Sequence, residues 1–398
     1  MKALVMAGGR GGNMVPFSET RPNPMIPVAG RYVIDHILSM LKSAGINHVN
    51  VVIGHQKDKL RDYASTQTSS STVHFIDQGK VDGIGGAILK ARDKFAPGDN
   101  FLLVYADTLT TSNIFNVTIQ SFGLHNEPTA AICLTKSAEK YGNVYLGQDT
   151  KITKIIEKPS KSEGLGNYVL AGVFVLPFRF FDYLAQAKGD MESALKTLIK
   201  KETLRASIWE DDWLDMANPW DILTANKSIM DTWTEASINS NVMLSGASLK
   251  GPVHIAEGVR INPGAVLEGP AYIGPGAYIG HNALIRPYTC IGANSVIGHG
   301  AELKNCVIFP SATIGGLCFI GDSVIGENVN LGAGTMTVNQ PIGQSEVKVK
   351  IKGKPANTGL KKLGAFIGDN AVIGASNTIA SGTIVDAGRV IDHNCSVR

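Results

Sequence analysis

From Ile255 onward an aliphatic side chain, or an aromatic one in its place, recurs every six residues: Ile255, Ile261, Leu267, Ile273, Ile279, Ile285, Ile291, Ile297, Leu303 and Phe309. A surface helix wants apolar residues three and four apart and an exposed strand wants period two, so neither explains the spacing. A parallel β-helix does. Each hexad then supplies a short strand and a tight turn, the recurrent residue points inward, and no turn of the coil buries its apolar side without a neighbour stacked on it. The coil sequence is interrupted twice: after Ile325 and Leu331, themselves six apart, the segment Thr337 to Leu363 leaves the rule, and Ile367, Ile373, Ile379, Val385 and Ile391 resume it. The lapse implies an excursion carrying Lys348, Lys350, Lys352, Lys354, Lys361 and Lys362, which reads equally as a solvated edge or as a phosphate-gripping arm. Flat-sided coils associate through their faces, so the expectation is a homotrimer with polar clefts between chains.

Residues 1–233 follow a different pattern, alternating short apolar runs with amphipathic stretches, as in an α/β sheet domain. Strands are expected at Lys2–Ala7, Val49–Gly54, Thr72–Ile76 and Phe101–Ala106, with helices at Tyr32–Ala44 and Ala87–Phe95. Both Thr72–Ile76 and Phe101–Ala106 read as central strands, with ligands at their carboxyl ends. A more mixed region, with strands near Ala130–Thr135, Val144–Leu146, Ile152–Ile156 and Val169–Leu176, reads as a lid over a ligand. A helix from Trp220 to Trp233 closes this domain, residues 234–250 connect, and residues 251–398 form the coil.

Composition narrows the classes. With 398 residues, 44% apolar and 18% charged, the chain describes a globular protein rather than a disordered one. A net charge of +3 is too small to imply nucleic acid and leaves small anions as the expected partners. Five cysteines without paired spacing point to a reducing compartment. The run Lys2-Ala3-Leu4-Val5-Met6-Ala7 is too short an apolar stretch for export or a membrane span, so a cytoplasmic location without membrane partner is expected.

The candidate chemistry begins at Gly8-Gly9-Arg10-Gly11-Gly12, directly after the first strand, where glycines let backbone N–H groups approach phosphates. It is neither a Walker A loop nor the dinucleotide fingerprint. The stretch continues as Asn13-Met14-Val15-Pro16-Phe17-Ser18 and then Arg21-Pro22-Asn23-Pro24-Met25-Ile26-Pro27. Together these resemble the signature of sugar-1-phosphate nucleotidylyltransferases. Gly83-Ile84-Gly85-Gly86-Ala87, Tyr105-Ala106-Asp107, Tyr141-Gly142-Asn143, Ile156-Glu157-Lys158-Pro159 and Trp213-Leu214-Asp215 resemble that family's later blocks. With the hexads included, nearly the whole chain resembles the bifunctional proteins that acetylate glucosamine 1-phosphate and couple it to UTP. The resemblance implies an α/β nucleotidyltransferase-like Rossmann-type N-terminal domain and a left-handed parallel β-helix of hexapeptide repeats.

It also implies roles. Gly8, Gly9, Gly11, Gln78, Gly83 and Gly85 match nucleotide-binding positions; Asp107 and Asp215 match the catalytic carboxylates that hold Mg²⁺; Gly142, Glu157 and Lys158 match sugar-lining positions. Two carboxylates suit a hard cation that shares its shell with phosphate and water. In the coil, Arg286, Lys304, Asn330 and Asn339 match contacts to phosphate and to acetyl-CoA in the acetylating relatives.

The chain departs from the family where charge matters. Asn13 and Asn23 stand where the family carries Arg and Lys, cations worth roughly 3–4 kcal/mol each when aimed at developing charge. Asn218 replaces a Lys and Leu170 a sugar-contacting Asn. Gly316 stands where the relatives have a general-base His, and Phe319 where they have Tyr, so acetyl transfer there needs another base, with His299 as one candidate. Three readings stay open: an enzyme of reduced activity joining a sugar 1-phosphate to a nucleoside triphosphate, a catalytically inactive nucleotide-sugar-binding or regulatory relative, and an amino-sugar-1-phosphate N-acetyltransferase.

Overall fold

A computed structural model describes residues 1–66, 72–81, 83–135, 137–160, 166–343 and 345–398. The chain divides into two compact units, Met1–Arg10 with Ile34–Asp215, and Gly11–Val33 with Met216–Arg398.

The first unit is built on one mixed sheet. Its central strand, Lys2–Ala7, runs parallel to His48–Ile53 on one side and to Asn100–Tyr105 on the other, with Val5 opposite both Val51 and Val104. All three are near-continuous apolar runs, as burial on both faces demands. Thr72–Asp77 lies beyond His48–Ile53 at the edge of the sheet rather than at its centre. Its sequence explains this, because Thr72, His74 and Asp77 interleave polar groups that an interior parallel strand would leave unsolvated. On the opposite side Tyr168–Pro177 pairs antiparallel with Asn100–Tyr105 and continues to Gly142–Leu146 and Ile152–Glu157, so the region read as a lid is an extension of the same sheet. Helix Val33–Ser43 falls where its apolar spacing predicts. The second expected helix divides into Ile84–Leu89 and a short 3-10 turn, Arg92–Lys94.

The second unit is a left-handed parallel β-helix of three sheets, each with eight strands of two or three residues among the described residues. Ile255, Ile261, Ile273, Ile279, Ile285 and Ile297 are buried in one core but not in one column, because successive hexads fall on different sheets and stack in three ladders, Ile255 on Ile273, Ile261 on Ile279 and Leu267 on Ile285. Two steps in the count of inward residues are five rather than six. Ile308 takes the inward place after Leu303, pairing with Ile291, and Ile325 follows Ile320. Phe309, expected to point inward, is the next residue along an extended backbone and therefore faces the other way. There its ring centroid lies 5.1 Å from that of Phe17. Residues 237–250, read from the sequence as connecting chain, contribute the strands Ser237–Ile238, Met243–Leu244 and Ser248–Lys250 of the first turn. Another five-residue step, from Leu244 to Leu249, interrupts the count there.

Segment Gly11–Val33 packs on this coil. Arg21 is almost fully buried, paired with Asp369 and with Glu327 at 2.8 Å, and its guanidinium lies 4.7 Å from the Phe309 ring centroid. Helix Asp221–Met230 holds the same segment, since Asn226 accepts from the Ala29 N–H at 2.9 Å and donates to the Tyr288 carbonyl at 2.9 Å. The excursion is an antiparallel hairpin, Lys348–Ile351 with Lys354–Asn357, whose Val349 is buried while Lys348 and Lys350 are exposed. No helix among the described residues is long and apolar enough to cross a membrane.

Candidate active site and a polar corner of the coil

Asp107 follows the strand Asn100–Tyr105, and the register of the next pair brings Asp215 beside it, because Asp215 faces Thr108 across the antiparallel pairing of Thr108–Thr110 with Trp213–Asp215. Desolvation pushes the Asp107 carboxyl up to about 6, and the neighbouring charge of Asp215 pushes the same way. Its side chain is nevertheless open to solvent at the surface, so water tempers this push. Asp215 is also raised, chiefly by desolvation, while a hydrogen bond from Tyr141 and the charges of Lys140 and Lys158 lower it. An oxygen-donor pair with mutual repulsion fits a hard divalent cation, which would relieve the cost of keeping both ionised.

Around this pair the first unit assembles several of the expected residues. Gly142 faces Glu157 across a strand pair, and a Cβ at Gly142 would lie 2.9 Å from Glu157 Oε2 and 3.1 Å from Leu170 Cδ1, so these three share one patch. Glu157 is raised above the ordinary carboxylate range mainly by desolvation. Lys158 donates its backbone N–H to the Tyr141 carbonyl at 3.1 Å, and its charge reaches both Glu157 and Asp215. Asn143 fastens this turn. Fully buried, it donates to the carbonyls of Ala138 at 2.6 Å and Tyr141 at 3.0 Å and accepts from Gly166 N–H at 2.9 Å. Tyr141 in turn packs edge-on against Trp213 at 5.0 Å. Sequence reasoning assigns no role to Lys140, Tyr141 or Asn143, although Tyr141 and Asn143 flank a glycine already singled out.

The glycines separate by cause. A Cβ at Gly8 would run into the Gln78 side-chain amide, so Gln78 and Gly8 are shaped to each other, whereas Gly9 opens onto free space. A Cβ at Gly85 would strike the carbonyl of Gly189, so close packing already demands glycine there. Gly83, with φ of +79°, starts the helix Ile84–Leu89. In the second unit, Gly11 approaches the Asn23 side chain too closely to bear a Cβ, and Asn23 Oδ1 is buried without a hydrogen-bond partner. Asn13 is exposed. The Asn218 amide is engaged by Asp221 at 3.1 Å, ahead of the helix Asp221–Met230.

The five-residue steps of the coil build a second polar constellation. Asn305 and Asp322 occupy the two short corners, both with positive φ, and Asn305 donates to Asp322 at 2.6 Å. Asp322 also accepts from Asn339 at 2.6 Å and pairs with Lys304 at 3.8 Å. Lys304 and Asn339 thus converge through Asp322, a residue not selected from the sequence. Arg286 pairs instead with Glu302 at 2.8 Å, and Asn330 lies on another sheet, between Thr313 and Val372. Gly316 offers no proton acceptor, but it stacks on His299, whose carbonyl would lie 3.1 Å from a Cβ at 316. Cys318 is buried and its thiol is pushed up by desolvation. Phe319 sits in the strand between Glu302 and Met336.

Residues 2–232 match the family described as Nucleotidyl transferase, and residues 267–353 match the GMPPB C-terminal domain. The chain is 37% identical to the Bifunctional protein GlmU of Methanococcus maripaludis strain C7, covering 100% of this chain and 94% of that protein. It is 33% identical to a Bifunctional sugar-1-phosphate nucleotidylyltransferase/acetyltransferase of Sulfurisphaera tokodaii, covering 97% and 94%. A UDP-glucose pyrophosphorylase structure from Acinetobacter baumannii superposes with a TM-score of 0.53 at 19% identity, covering 57% of this chain and 92% of that one, a likeness of fold.

Proposed function

Because the chain belongs to the nucleotidyl transferase family, as a relative of sugar-1-phosphate nucleotidyltransferases, we propose that it joins a sugar 1-phosphate to a nucleoside triphosphate and releases pyrophosphate. The observation that carries this reading is the pairing of Asp107 with Asp215, each pushed above its ordinary range. The phosphate oxygen of the sugar attacks the α-phosphorus, a new P–O bond forms, and the bond from that phosphorus to the bridging oxygen breaks as pyrophosphate leaves. Asp107 and Asp215 would hold Mg²⁺, which when bound supplies charge against the phosphate oxygens. Gly8 and Gly9 admit the nucleotide backbone-close, Gln78 is braced against Gly8, and Gly142, Glu157 and Lys158 line the sugar. Lys140 and Lys158, whose charge reaches Asp215, supply positive charge beside the carboxylate pair.

Pyrophosphate release is the test, with UTP and dTTP against a panel of sugar 1-phosphates. Turnover that disappears in Asp107→Asn supports the proposal. A specific observation favours the binding-only alternative: Asn23 presents a buried, unpartnered oxygen where a cation would stand. If the chain binds nucleotide but neither wild type nor Asn13→Arg with Asn23→Lys releases pyrophosphate, it is a binding relative; a rise of at least tenfold in the double variant marks an enzyme of reduced activity. At the coil, Gly316 and the buried Cys318 do not furnish a base for acetyl-CoA chemistry, and no acetyl-transfer step follows from them.

A further inference from the structure

A concave pocket of about 570 Å³ lies between the hairpin, the end of the coil and residues Val15 and Glu19. It shares no residue with the Asp107–Asp215 pair or with the Asp322 corner. Its wall carries Lys348, Lys350, Lys352 and Arg398 against two carboxylates, Glu19 and Asp386, with Ser381 and Thr383 among the remaining lining residues. None of the four cations is ion-paired with a carboxylate among the described residues. Solvated lysines on a loose hairpin would not define a site, but this hairpin is fixed. Val347 and Val349 are buried beneath it, and Gly382 lets it press so close that a Cβ there would lie 2.6 Å from the Lys348 carbonyl oxygen. The alternation of the strand then holds Lys348 and Lys350 on one side, and Lys352 follows in the turn.

We propose that this pocket binds a small phosphorylated polyanion with at least two phosphoryl groups. Three considerations select that class. Cations gathered without partners repel one another, and a polyanion removes the repulsion. The volume falls in the range of small-molecule pockets, roughly 300–1,000 Å³. The hydroxyl of Thr383 adds a neutral donor for phosphate oxygens. Occupancy is felt beyond the pocket, because Lys352 also reaches Gly12, where a Cβ would lie 2.7 Å from its Nζ. A polyanion that engages Lys352 therefore acts on the segment that follows the glycine run.

Inorganic tripolyphosphate, titrated calorimetrically into the full chain in EDTA, tests the proposal away from any Mg²⁺-dependent nucleotide binding. Saturable binding is expected that weakens with added salt and falls at least tenfold in Lys348→Ala with Lys350→Ala, while Lys350→Arg keeps it. Unchanged melting of these exposed-site variants separates lost binding from lost fold. Equal affinity in the double alanine variant, or no saturable binding by wild type, overturns the site. In the same samples tripolyphosphate should slow hydrogen exchange in residues 11–19 of wild type, and unchanged exchange overturns the coupling. Loss of pyrophosphate release in Asp107→Asn leaves this binding intact, so failure of one reading is distinct from failure of the other.

Discussion

Replacing Arg21 by Met removes one charge from a nearly isosteric side chain and leaves Asp369 facing the gap. Both side chains are 2% exposed, so water does not screen the pair. Breaking such a buried pair from one side costs about 3–5 kcal/mol, because the remaining carboxylate is left without its counter-charge. Two donors stay with Asp369, the Thr20 hydroxyl at 2.6 Å and the Glu327 N–H at 2.8 Å, which places the loss near the lower end, about 3 kcal/mol. The Glu327 pair adds little, since that carboxylate is partly exposed. The loss falls on the segment Gly11–Val33, whose turns are closed by bonds such as Arg21 N–H to Phe17 carbonyl at 3.2 Å and Met25 N–H to Pro22 carbonyl at 2.9 Å. Native-state hydrogen exchange at these amides should therefore accelerate by about 10²-fold in Arg21→Met. Adding Asp369→Asn, which removes the orphaned charge but keeps an acceptor, should restore most of the protection. Unchanged exchange in the single variant, or no recovery in the double, would refute the claim that this ion pair holds the segment on the coil.

Three further outcomes are expected. Asp107→Asn should stabilise the metal-free protein at pH 8 and not at pH 4: a raised carboxyl contributes fully below its unfolded value near 3.8 and loses that contribution as pH rises through about 6. The shift corresponds to roughly 3 kcal/mol, discounted to about 1 kcal/mol for solvent exposure, and guanidinium unfolding in EDTA at the two pH values measures it. Ile308→Ala should cost about 2–5 kcal/mol by opening a cavity in the core of the coil, whereas Phe309→Ala should speed exchange around Phe17 as well; equal exchange in the two variants would contradict their opposite placement. Gly85→Ala should lower the melting temperature by crowding the Gly189 carbonyl, and an unchanged melting curve would disprove the close approach.

Periodicity by itself determined most of the architecture. The inward residues and the interruption at the hairpin follow from side-chain alternation, a local property of neighbouring residues. The glycine run was likewise legible as a residue type after the first strand, whereas Asp107 and Asp215 were legible only through the resemblance of their motifs to the family's blocks. Steps of five residues were not, because a shortened corner leaves the next strand unchanged in composition while turning Ile308 rather than Phe309 inward, and it is at those corners that Asn305 and Asp322 meet. Nor did the pattern reveal that Gly11–Val33 groups with the coil or which residues Asp215 faces. Each depends on a partner distant in sequence: Asp369 for Arg21, Phe309 for Phe17 and Thr108 for Asp215. Such pairings are chosen by the free energy of burial and charge neutralisation in the assembled chain, and no local period encodes them.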